Sequence, residues 1–195
     1  SVREEGNNVV VTANYKLGCF DQAVWTISPD GTAAIDFTYN FSGVVDLMGV
    51  MFDYPEDKVL SKRWVGDGPY RVWQNRLHGP QLGVWENEYN DPIPAESFTY
   101  PEFKGYFANV QWMTLETQEG MISICNRTPQ NYVGVYQPRD GRDGLLYTFP
   151  VTGISLMKVI PPVRNKVNTT DLIGPSSQAF WADGEYGGGI TLKFE

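Results

Sequence analysis

The chain has 195 residues, 42% of them hydrophobic and 19% charged, a balance that excludes a disordered segment, and no run approaches the roughly 18 apolar residues a membrane span needs. A formal net charge of −8 without any cluster of Lys or Arg argues against nucleic acid, whose phosphates require an electropositive face, and favours a neutral or cationic partner. The N-terminus lacks a basic stretch followed by an apolar run, so no targeting signal is expected, as would also hold for a mature or excised fragment.

Residues 8 to 15 (NVVVTANY) are rich in β-branched and aromatic side chains and read as a strand. AVWTIS and TAAIDFTYNF flank Pro29-Asp30-Gly31, a turn chemistry that joins two β runs into a hairpin. In the second arm Ala33, Ile35, Phe37, Tyr39 and Phe41 alternate with Ala34, Asp36, Thr38 and Asn40, which gives one apolar and one mostly polar face. Two further apolar runs flank Tyr54-Pro55-Glu56-Asp57, and Gly49 inside the first marks a bulge or a close backbone approach. Gly66, Gly68 and Pro69 break the pattern, which places Trp64 at a strand end and predicts a long loop to Pro101, with short strands at RVWQNRL and LGVWENEYN.

YFANVQWMTLET and GMISICNR, separated by Gln118-Glu119-Gly120, predict a second hairpin. NYVGVYQP and TGISLMKVI are further strands, and RDGRDG is a polar turn. The stretch from Arg164 to Gly189 reads as loop, with Gly187-Gly188-Gly189 a flexible turn, and ITLKFE as a closing strand. No 3.6-residue apolar period is sustained, so the fold expected is an all-β, antiparallel sandwich in one domain. Cys19 and Cys125 each lie in an apolar stretch, and two buried thiols are expected rather than a disulfide or a metal site.

The stretch from Trp64 to Trp112 interleaves aromatic rings with Arg, Asn, Gln and Glu on turn-rich backbone. Such a surface suits stacking on, and hydrogen bonding to, a carbohydrate. Trp64, Trp73, Trp85 and Trp181 lie near Gly/Pro turns and are the candidates for exposure, whereas Trp25 and Trp112 sit within strands and read as core. Glycoside hydrolysis needs two carboxyl groups roughly 5 to 10 Å apart; Glu86 and Glu88 would share a strand face, which is the usual place for solvated acids. One His, His78 in a turn, and two distant Cys give no metal cluster and no acid-base pair, and no phosphate-binding Gly loop is present. No cofactor and no catalytic residue are expected.

Trp64-Val65-Gly66-Asp67-Gly68-Pro69, then Arg76, then Tyr100-Pro101-Glu102 and Gly105 before a Trp-containing strand resemble the C-terminal, or small-chain, domain of family 2 glycoside hydrolases of the β-galactosidase kind. The similarity is specific from about Val45 to Leu115. After the Gly-Pro turn this chain carries Arg71, Trp73 and Asn75 where the family has acidic or Tyr residues, and only Arg76 is kept. The resemblance implies a large β-sandwich of the galactose-mutarotase (supersandwich) type, carried by a longer polypeptide whose catalytic barrel holds both catalytic carboxylates. It also implies that a Trp of the closing segment, here Trp181, reaches the sugar site.

Three roles stay open on these residues. One is an accessory domain packed on the barrel of the same polypeptide. Another is an independent carbohydrate-binding module with Trp64, Trp73 and Trp85 as platform and Arg76 and Glu86 as hydrogen-bonding partners. The last is a structural domain whose aromatics are all buried.

Overall fold

The local signals resolve into strands in the computed structural model, which describes residues 1–55, 58–88, 105–135, 153–161 and 179–195. Among these residues there is no α-helix, and the order is β1 (Val2–Glu5), β2 (Asn8–Asn14), β3 (Phe20–Ile27), β4 (Thr32–Val45), β5 (Met48–Phe52), β6 (Val59–Gly68), β7 (Gln81–Glu88), β8 (Trp112–Thr117), β9 (Gly120–Asn126), β10 (Tyr132–Gly134), β11 (Ile154–Val159) and β12 (Phe180–Phe194). Nine strands form one sheet in the order β1-β2-β3-β4-β12-β9-β8-β6-β7, and β10-β11-β5 form a second. Every pairing is antiparallel.

The β3–β4 hairpin forms as its turn residues dictate. Gly31 N–H donates to Ser28 O at 3.1 Å, and Gly31 takes the left-handed backbone (φ 83°) that closes a three-residue loop. Asp30 accepts from Thr32 N–H at 3.1 Å and from the Thr32 hydroxyl at 3.0 Å, and these bonds hold its carboxyl below its ordinary value. The β8–β9 turn is tied by Thr117 Oγ1, which donates to Gly120 O at 2.7 Å and accepts from Glu119 N–H at 3.1 Å.

Register builds the core. Ala33, Leu192, Ile124, Met113, Trp64 and Trp85 are paired strand to strand from β4 to β7, so they form one row on the inner face of the large sheet. Against that face pack Met48, Val133, Ile154, Leu156 and Val159 of the small sheet. Each such side chain, fully withdrawn from water, contributes about 1.5–3 kcal/mol. The other face of β11 is covered in turn: Met157 packs with Val72, Tyr106 and Ile160. Gly49 marks the close backbone approach, and the irregularity beside it lies in the partner strand. A Cβ there would sit 2.4 Å from Leu156 O, and the β5–β11 register shifts between Met157 and Val159.

Four expectations are corrected. Trp64 lies inside β6, not at its end, because Gly66 and Gly68 remain in the strand: a Cβ at Gly66 would meet the Val110 backbone at 2.9 Å, and one at Gly68 the Trp85 ring at 2.5 Å. FWADGEYGGG is the first part of β12, not loop. Gly187, Gly188 and Gly189 are extended strand residues whose missing side chains leave room for Phe37, Asn131 and Arg127. Cys19 and Cys125 are exposed, free thiols, since Ile122 and Ile124 take the inward positions of β9 and Cys125 alternates outward. Trp112 likewise faces outward because Met113 takes the core position. The RDGRDG turn lies outside the described residues.

Tyr39 gives the fold an alkaline limit. It is buried between Phe37 and Tyr186, and burial, reinforced by the nearby Tyr186 and Cys19, pushes its phenol up to about 12. An unfolded tyrosine ionises near pH 10. Between these values the unfolded state binds fewer protons than the folded one, so stability falls with rising pH and the contribution is intact below about pH 10. Urea midpoints measured at pH 9 and pH 11.5 are expected to separate less in Tyr39→Phe than in the parent chain; an unchanged separation would exclude Tyr39 as the cause.

Candidate functional site

β4 and β12 are longer than their neighbours. β3 pairs with β4 only as far as Tyr39, and β9 pairs with β12 only over Ile190–Phe194. Residues 40–45 and 180–185 therefore continue as a two-stranded ribbon. Its last backbone bond to an adjoining strand or loop among the described residues is Asn40 N–H donating to Cys19 O at 2.8 Å.

Strand alternation sorts the ribbon into two faces. Phe41 and Val45 of β4 and Tyr186 of β12 pack on the core, with Ala182 fully buried between them and Tyr39 stacked on Tyr186 at 5.8 Å. The opposite face carries Trp181, Asp183 and Glu185, directly across from Val44, Ser42 and Asn40. Trp181 is 67% exposed and Val44 60%. Ser42 Oγ donates to Asp183 Oδ1 at 3.1 Å, and Tyr186 Oη accepts from Asp183 N–H at 2.9 Å. These two bonds fix the backbone and side chain of Asp183 beside the indole. Gly184, at φ 107°, supplies a backbone conformation that side-chain-bearing residues rarely adopt.

Chemically, the ribbon face offers an indole for stacking with carboxylate, amide and hydroxyl groups alongside. That set can grip a polyhydroxylated ring. It is not arranged for hydrolysis. Asp183 and Glu185 stand in line on one strand rather than facing each other across a bond, as the two carboxyls of a glycosidase must.

The remaining candidates lie elsewhere. Trp64 has no exposed surface; its ring contacts Phe107 at 4.5 Å between centroids and its Nε1 donates to Asp67 O at 3.0 Å. Trp73 is 3% exposed and meets Tyr106 edge-on at 6.2 Å. Trp85 lies over Gly68 and Gly83 and donates to Gly66 O at 3.2 Å and Gln81 O at 3.1 Å. These three rings therefore make no exposed platform: strand register turns Trp64 inward and Trp85 onto glycine, and Trp73 is buried against Tyr106 and Gly105. Arg76 is exposed in the tight turn that Trp73 and Arg76 close by backbone bonds. Glu86 is exposed on the outer face of β7, cross-strand from Arg63 and on the side opposite Trp85.

Asp183, Glu185, Asn40 and Ser42 were not among the sequence candidates. Their signal was the alternation Trp181-x-Asp183-x-Glu185, which becomes visible only once the segment is treated as a strand. Lys62 was also missed. It is 1% exposed, with Nζ donating to Glu88 O at 2.7 Å and lying 5.9 Å from the Phe107 ring centre; the bond and the ring offset part of the cost of burying its charge.

Comparison with curated proteins gives no match. The family model described as the beta-galactosidase small chain matches residues 1–155, a wider span than the Trp64-to-Gly105 landmarks, though it stops short of β12 and Trp181. With the match extending over most of its length, and with the two-sheet β fold in place, the chain belongs to the beta-galactosidase small chain family.

Proposed function

We propose that this chain is an accessory domain of a β-galactosidase-like glycoside hydrolase, packed against the catalytic barrel of the same polypeptide and contributing Trp181 to the sugar site. It performs no hydrolysis alone. The observation that carries this reading is the ribbon: in a chain of this family, Trp181 stands two-thirds exposed on a two-stranded extension with hydrogen-bonding groups beside it. The two-sheet architecture also supports the mutarotase-type sandwich that the resemblance implies. Carbohydrate is the ligand that this combination of indole and polar groups suits, and the barrel supplies the acid and the nucleophile.

Trp181→Ala in the enzyme that carries this chain is expected to lower kcat/KM for o-nitrophenyl β-galactoside by about 30-fold, the effect of an anchoring aromatic worth about 2 kcal/mol. The isolated variant should unfold at the same urea concentration as the parent chain. Hydrolysis at the parent rate would refute the assignment of Trp181, and an open reading frame encoding these residues without a barrel would refute the accessory role itself.

A further inference from the structure

The outer face of the large sheet carries a groove that the ribbon does not use. Val84, Val65, Trp112, Cys125 and Thr191 are paired strand to strand, forming a row across β7, β6, β8, β9 and β12. With strands about 4.8 Å apart, that row is roughly 19 Å long. Two residues along the strands runs a parallel row of Glu86, Arg63, Thr114, Ser123 and Lys193. An apolar stripe thus lies beside a polar one. Where they cross β8, β9 and β12 they enclose a groove of about 430 Å³, within the range of small-ligand sites.

Its chemistry narrows the occupant. Trp112 is 37% exposed and offers its ring as a wall, while Cys125 is exposed on the floor. The Ser123 and Thr191 hydroxyls have no hydrogen-bond partner among the described residues, and Thr114 Oγ1 makes only a long 3.5 Å bond to Arg63 O. Lys193 Nζ is held by Glu195 at 2.5 Å, and Arg63, one strand beyond Thr114 in the polar row, stands directly across from Glu86, so each cation along the row has a carboxylate beside it. Each of the three strands is paired on both sides at this point, which leaves no backbone edge for an added peptide strand. An aromatic wall, donor-acceptor hydroxyls and balanced charge fit a ring with apolar C–H faces and a hydroxyl rim.

We infer that this groove is a binding site for a neutral glycan, stacked on Trp112 and hydrogen-bonded by Ser123 and Thr191. It lies on the same face of β12 as Trp181 but ten residues further along, roughly 30 Å away, and it stands independently of the role proposed for Trp181. The stripes run across the strands, so a linear glycan would lie perpendicular to them.

Cys125 reports on occupancy. In the full chain carrying Cys19→Ser, β-1,4-galactotetraose or cellotetraose at millimolar concentration is expected to slow maleimide labelling of Cys125 at least fivefold and to change Trp fluorescence. Trp112→Ala is expected to abolish the protection. Thr191→Val, which keeps shape and strand preference, is expected to weaken binding about fivefold. Failure of both tetrasaccharides to protect Cys125, or undiminished protection in either variant, overturns the assignment. Loss of hydrolysis in the Trp181 variant would leave this result untouched, so the two readings fail separately.

Discussion

Trp64→Ala is expected to lower stability by about 3–5 kcal/mol, whereas Trp181→Ala changes it by less than about 0.5 kcal/mol. Both are tryptophans beside glycines in sequence, and the difference lies in what surrounds them. Trp64 is wholly buried on the inner face of β6, in register with Met113 and Trp85 and in contact with Phe107. Truncation there removes the buried ring area, empties a cavity in a close-packed layer and orphans the Asp67 carbonyl that the indole satisfies. Trp181 loses mainly solvent-facing surface. Urea unfolding with an unchanged m value measures the contrast; equal midpoints for the two variants would contradict the burial of Trp64.

Gly49→Ala should damage the same core by addition rather than removal. The new methyl would sit 2.4 Å from Leu156 O and 2.6 Å from Met157 Cα. Both are backbone atoms, which cannot rotate aside. Filling an occupied space of this kind costs about 1–3 kcal/mol or more, well beyond the roughly 0.5–1 kcal/mol that alanine recovers over glycine in a strand interior. Because β5 pairs only with β11 among the described residues, the effect should concentrate in the small sheet. Faster amide exchange at Leu156 and Met157, together with a lower midpoint, is the expected result; exchange as slow as in the parent chain would show that the strands are not in such close approach.

The features legible in the sequence were those carried by near neighbours. Pro29-Asp30-Gly31 is sufficient for the β3–β4 hairpin because its bonds close within five residues. The alternation from Ala33 to Phe41 stated the inward face of β4 correctly. What was misread depends on partners far along the chain. Gly66 and Gly68 look like strand breakers, yet they stay in β6 because Val110 and Trp85 occupy the space their side chains would take. Gly187 to Gly189 look like a flexible turn for the same reason. A Cβ at Gly188 would lie 2.8 Å from Phe37, and at Gly189 Arg127 spans the gap to pair with Asp36 at 2.8 Å and donate to Ile35 O at 2.9 Å. The candidate site followed suit. Trp181 was identified through a family resemblance, while Asp183 and Glu185 beside it were hidden by reading their strand as loop.

The position of β12 has a consequence for how the chain comes to be folded. It is the last of the described strands in chain order, yet it lies in the middle of the nine-stranded sheet, hydrogen-bonded to β4 on one side and β9 on the other. Until it emerges, the N-terminal meander β1–β4 and the group β9-β8-β6-β7 each end in a bare edge, and such edges recruit other chains. Closure pairs residues near position 40 with residues near position 185, a separation that makes sheet completion slow relative to hairpin formation. During synthesis the two half-sheets therefore stand open until β12 emerges, and this fifteen-residue strand decides whether they join each other or a neighbour.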